Sequence, residues 1–88
     1  TGRLYDAEAE YLAAYNLNAN EPETHKGLAL TYEALDDPDS AHQHWERWLE
    51  LVGDNPELID DINRVTKHLK TLAELSVIAP NVKGIGLP

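Results

Sequence analysis

The chain has no cysteine, few basic residues and no long apolar run, and each absence excludes a class of protein. Without cysteine there is neither a disulfide framework nor a thiolate metal site, so packing alone must hold the fold. The 7 Lys and Arg residues face 16 Asp and Glu residues, and the resulting charge of -9 predicts no nucleic-acid partner. No stretch reaches the roughly 18–20 apolar residues of a membrane span. We therefore expect an acidic, soluble domain without a membrane span, in the cytoplasm or the periplasm.

Catalytic motifs are also missing. The chain contains no cysteine nucleophile, no G-x-S-x-G and no glycine-rich phosphate loop. Serine occurs only at Ser40 and Ser76, at a predicted helix start and a predicted helix end. We expect no enzymatic activity and no cofactor. The opening Thr1-Gly2, without an initiator methionine or signal sequence, is typical of an excised domain or a processed product.

Apolar residues recur at three- and four-residue steps and predict four helices, over 3–18, 22–36, 37–52 and 56–75. Asp37 and the following proline predict the start of the third helix, and Gly53 predicts its end. Residues 76–88 contain two prolines and two glycines, which predict a non-helical tail or an extended arm.

A period of 34 residues runs through these helices. It relates Ala7 to Ala41, Tyr11 to Trp45, Leu17 to Leu51 and Pro22 to Pro56. Thirty-four residues is the length of a helix–turn–helix repeat, so the period indicates an internal duplication.

The segment 22–55 resembles one complete tetratricopeptide repeat. Leu28, Ala29 and Tyr32 are similar to the pattern of its first helix, and Asp36-Asp37 stands where the family usually has a glycine–acid turn. Ala41, Trp45 and Leu49 resemble the small, bulky and apolar sites of its second helix.

The flanking segments extend the resemblance. Residues 2–19 are similar to the second half of a preceding repeat, and residues 56–75 resemble a capping helix. The resemblance implies an all-α fold of antiparallel helix-turn-helix repeats in a right-handed superhelix, with four helices in residues 1–75 and an extended tail over 76–88. Trp48 at a usually small site and His25 at a usually large apolar site depart from the pattern.

The resemblance implies a non-catalytic scaffold that binds a peptide or a partner helix in a concave groove. The groove residues that it implies are Lys26, Leu30, Glu33, Asp60, Asp61, Arg64 and Lys67. Their mixed charges favour a ligand with both signs, whereas the alternative is that they only solvate a helix. Binding of a chain terminus by a carboxylate clamp is not expected, because Gly27 and Leu30 stand where asparagines are needed. Small bacterial members of the family often assist cytochrome maturation, secretion or pilus assembly, an analogy at the level of the fold.

The alternative function is a structural oligomerisation module. If the helix that precedes the first one in a full repeat is missing, Leu4, Tyr11 and Tyr15 expose an apolar face that another chain would cover. Trp48 is a further candidate for this interface, and the apolar residues of the tail are candidates for docking in a groove.

Three other patterns have simpler explanations. Trp45 and Trp48 share a helix face and suit a stacking platform, but a core position fits Trp45 better. His42 and His44 lie two apart and point in different directions on a helix, so we expect solvated histidines and no metal, with a site through His25 or His68 as the alternative. The aspartates around Pro38 are explained by helix capping rather than by calcium.

Overall fold

The computed structural model describes the backbone of residues 2–85 and the side chains of residues 2–75, and the described residues form helices and turns without a strand. The helices are α1 (Gly2–Leu17), α2 (Pro22–Ala34), α3 (Pro38–Val52) and α4 (Ile59–Ile85), and a 3-10 turn, Pro56–Leu58, precedes α4. This confirms the all-α class. Short connections make successive helices antiparallel neighbours, each packed on the next. Within the described part of the chain, no helix combines the length and apolarity needed to cross a membrane.

Local signals determine where α3 begins and ends. The Asp37 carboxylate accepts hydrogen bonds from the Ser40 backbone N–H at 3.2 Å and from the Ser40 hydroxyl at 2.8 Å. Pro38 occupies the first turn, where a missing N–H costs nothing. Gly53 ends the helix at φ 60°, a conformation that disfavours residues with a Cβ. The predicted bounds of α3 are confirmed.

The turn between α2 and α3 holds Asp36 at φ 62°. The Asp36 N–H donates to the Glu33 carbonyl at 3.1 Å, and the Asp37 N–H donates to the Tyr32 carbonyl at 2.8 Å. This pair of bonds is a Schellman motif, whose left-handed position glycine usually occupies. Asp36 therefore adopts the backbone conformation of a glycine.

The prediction of a non-helical tail over 76–88 is wrong for residues 76–85, because α4 continues as a helix to Ile85. A helix that has already formed adds one hydrogen bond for each further residue, so it extends easily. Pro80 removes one such bond without preventing helical backbone on either side. An extended peptide arm over this segment is excluded. The side chains proposed for tail docking, Val77, Ile78, Val82, Ile85 and Leu87, lie outside the described residues.

The core lies where α3 packs between α2 and α4. Its buried residues are Ala29, Ala41, Trp45, Trp48, Val65 and Leu72. Ala29 and Ala41 are fully buried, so their small side chains allow α2 and α3 to approach closely. The core thus follows the predicted stripes of the last three helices.

Helix α1 packs on α2 and contributes no buried residue. The Tyr11 ring lies directly over Gly27, where any Cβ would overlap it. The Tyr32 hydroxyl donates to the Glu8 carboxylate, and burial with this bond raises the pKa of Tyr32 to about 12. Gly27 therefore leaves the space in which the Tyr11 ring packs on α2.

The open apolar surface of α1 includes only part of the predicted face. Leu4 and Tyr15 are half-buried, and Tyr11 packs on Gly27. The exposed large apolar residues of α1 are Tyr5 at 62%, Leu12 at 39%, Tyr11 at 37% and Leu17 at 90%. Of the three predicted residues, Tyr11 therefore stays partly open, whereas the Tyr15 ring packs against His25 of α2.

Candidate functional site

A groove of about 480 Å³ lies between α2 and α4, and α3 forms its floor. Lys26, Leu30 and Glu33 line it from α2. They follow a spacing of four and three residues, which places them along one helix face. Leu30 is 51% exposed, although it is apolar.

The opposite wall is a continuous face of α4. Its lining residues are Asp61, Arg64, Val65, Lys67, His68 and Thr71. Six of the seven groove residues implied by the resemblance therefore lie around one groove. Asp60 is exposed and is not part of the lining.

Glu33 links all three helices of the groove. The Trp45 indole N–H donates to Glu33 Oε2 at 2.6 Å, and His68 Nε2 donates to Glu33 Oε1 at 2.7 Å. Because Trp45 is buried, the carboxylate satisfies a donor that would otherwise be unpaired. Glu33 was expected to provide charge for a ligand, but both of its oxygens are already used within the protein.

The positive charges of the groove are less constrained. Arg64 Nη1 lies 3.5 Å from Asp61 Oδ1, in an exposed pair one helical turn apart. Lys26 and Lys67 have no ion pair or hydrogen bond among the described side chains. An exposed lysine on a groove wall remains available to an acidic ligand.

Trp48 does not form an exposed interface. It is 4% exposed, and its ring meets Trp45 edge-on with the centroids 5.9 Å apart. Both tryptophans belong to the core and line the groove floor with their accessible edges. Neither offers an open face for stacking a sugar or a base.

A row of rings joins α1, α2 and α3 behind the groove. His25 is 3% exposed and meets the Tyr15 ring edge-on, while His44 stacks on Tyr32. His25 Nε2 donates to the Ala19 carbonyl at 2.7 Å. The prediction of a solvated side chain is therefore wrong for His44, which packs on Tyr32 and contacts His25.

The hydrogen bonds of this row determine the tautomers. A carbonyl only accepts, so neutral His25 carries its proton on Nε2 and accepts at Nδ1. His44 Nδ1, 3.0 Å away, must then donate to His25 Nδ1. Burial and the neighbouring His25 lower the pKa of His44. His25 thus fills a large apolar site with both of its nitrogens satisfied.

His42, the other histidine of the H-x-H segment, points elsewhere. His42 Nδ1 lies 3.3 Å from Glu46 Oε1, whereas His44 faces His25. In the described part of the chain, no three His, Asp or Glu side chains converge on one point. The divergent directions expected for residues two apart on a helix are confirmed.

Sequence reasoning missed three residues on the α4 wall, Val65, His68 and Thr71. His68 and Thr71 lie four and seven residues after Arg64, so helical spacing alone was enough to find them. Val65 serves both the core and the groove.

Comparison with known proteins returns no similarity: no family model matches the chain, and neither curated proteins nor solved structures provide a significant match. The resemblance to tetratricopeptide repeats therefore stays a prediction.

Proposed function

We propose that this chain is a non-catalytic interaction scaffold of the tetratricopeptide type, which binds a peptide or a partner helix in the groove between α2 and α4. The observation that carries the proposal is the groove itself. It has an apolar floor and charged walls, and six of the seven residues implied by the resemblance line it.

Two further features support this assignment. Asp36 adopts a left-handed conformation at the turn where the family usually has glycine. Leu30 exposes half of its apolar side chain inside the groove, although the neighbouring Leu28 is fully buried. An exposed apolar residue inside a concave surface is typical of an interaction site.

The test compares Leu30→Glu with Leu17→Glu as affinity baits in extracts of the source organism. Leu17 is the matched control, because it is the same residue type and is 90% exposed, away from the groove. We expect Leu30→Glu to lose captured proteins that Leu17→Glu retains, with circular dichroism showing that both variants are folded. Equal capture by both variants would refute binding in the groove.

Assembly through α1 is a second candidate function, and the exposure of Tyr5 and Leu12 favours it. Residues 5, 9 and 12 share one face of α1. Light scattering should show that Leu12→Glu shifts any oligomer toward the monomer. A monomer for the unsubstituted chain over a wide concentration range would exclude this function.

A further inference from the structure

A second hollow of about 360 Å³ lies beside the groove, toward the other end of α2. Lys26, Trp48 and Asp61 line both spaces, so the two are direct neighbours. Together they form one long groove that follows the face of α2 from Glu33 back toward Pro22.

The two ends of this long groove differ in charge. Lys67 and Arg64 line the first end, where Glu33 is the one acid among the described lining residues apart from the shared Asp61. Glu33 is already held by Trp45 and His68. Glu21 and Glu23 stand at the second end, where the lining holds no cation beyond the shared Lys26. Neither of these two carboxylates has an ion pair or hydrogen-bonded side chain in the described part of the chain. One end is therefore basic and the other acidic.

Apolar surface lies between the charged ends. Leu30, Trp48 and Val65 provide it in the first space, and Val52 and Leu58 provide it in the second. An occupant must therefore bury apolar side chains along its middle, because polar groups left there would lose hydrogen bonds to water.

We propose that the groove recognises an amphipathic segment of another protein whose charge is polarised, with an acidic end over Lys67 and a basic end over Glu21 and Glu23. This inference rests on the proposed function and specifies the partner's chemistry. A uniformly acidic or uniformly basic segment would meet like charge at one end, which opposes binding. The net charge of -9 also attracts the basic end during approach.

The experiment selects binders from a random 16-residue peptide library displayed on phage. We expect the enriched peptides to carry acid at one end, base at the other and apolar residues between, and to lose enrichment on Leu30→Glu. Enriched peptides of a single charge sign would overturn the polarity and leave groove binding standing. No enrichment, or equal enrichment on Leu30→Glu, would overturn groove binding as well.

Charge-reversal variants, each with a matched control, show which end of the groove binds which end of the peptide. An exposed ion pair contributes about 0.2–1 kcal/mol, so loss of the pair in Lys67→Glu should weaken the binding of an enriched peptide about 1.4- to fivefold. The affinity should return when the acid of the peptide is changed to lysine. Lys70→Glu is the control, because it reverses an exposed charge on α4 outside the groove lining. Equal effects of Lys67→Glu and Lys70→Glu would refute a direct contact between Lys67 and the acidic end of the peptide.

Glu23→Lys examines the other end in the same way, with Glu74→Lys, exposed on α4, as its control. Glu23→Lys should weaken the binding of the enriched peptides only by removing the attraction to their basic residues. Light scattering of the unsubstituted chain serves as a further check. Self-association that Leu30→Glu abolishes would identify the occupant as a second copy and overturn the assignment to another protein.

Discussion

Replacing Gly27 by alanine should destabilise the protein, although alanine is the better helix former. Alanine at a helix interior gains about 1 kcal/mol over glycine. At this position, however, the new Cβ would overlap the Tyr11 ring at Cε1 and Cζ. The ring would have to swing into solvent, because α2 is fixed on its other side by the core.

The size of the loss follows from the burial of Tyr11, which is 37% exposed in the folded protein. A tyrosine that gives up most of its remaining buried surface loses about 1.5–3 kcal/mol at roughly 25 cal/mol per Å². After subtracting the gain in helix propensity, we expect Gly27→Ala to lower the free energy of unfolding by about 0.5–2 kcal/mol.

A double-mutant cycle separates these two effects. In a Tyr11→Ala background the overlap is gone, so the same Gly27→Ala change should stabilise the protein by about 1 kcal/mol. Urea unfolding of the four proteins, followed by tryptophan fluorescence and circular dichroism, measures both values. Gly2→Ala is the control, because its Cβ meets nothing within 4 Å.

The decisive outcome is the reversal of sign between the two backgrounds. Stabilisation by Gly27→Ala in the presence of Tyr11 would show that the ring does not lie over Gly27. The docking of α1 on α2 would then need revision.

Three further predictions concern the turn, the groove and the histidine pair. Asp36→Gly should stabilise the protein by about 0.5–1 kcal/mol in urea unfolding, because glycine adopts the φ of 62° without a Cβ penalty; a loss of stability would contradict the left-handed assignment. Glu33→Ala should cost about 1–3 kcal/mol, since it leaves the buried Trp45 N–H unpaired, and Glu33→Gln should recover part of this; equal stability of the three proteins would refute the link. The pKa of His44 lies below its ordinary 6.5, so as pH falls the unfolded chain takes up the proton first, and the free energy of unfolding should decline from about pH 6.5 downward. His44→Phe should flatten this decline between about pH 8 and 5.5. An unchanged dependence of the free energy of unfolding on pH would show that His44 is not its cause.

The helix starts and ends were accessible from the sequence because capping acts over a few residues. The Asp37 cap and the Gly53 terminus needed only their own neighbours in the chain. The extent of α4 was not accessible in this way. Pro80 and Gly84 are local signals for a break, yet a formed helix continues past them to Ile85.

The roles of individual groove residues depended on contacts between distant segments. Helical spacing placed Lys26, Leu30 and Glu33 on one face, and the structure brings that face opposite α4. No spacing rule predicts that Trp45 and His68 donate hydrogen bonds to the carboxylate of Glu33. The sequence assigned its charge to a ligand, whereas the tertiary structure uses it inside the protein.

By itself, then, the sequence determined the all-helical class, the helix boundaries up to α4 and the helix face that would line a groove, because periodicity and capping are local properties. Only the tertiary structure decided which α1 face stays open, which groove charges are free and where the buried histidines find partners. These depend on side chains that lie far apart along the chain, and folding alone brings them within hydrogen-bonding distance.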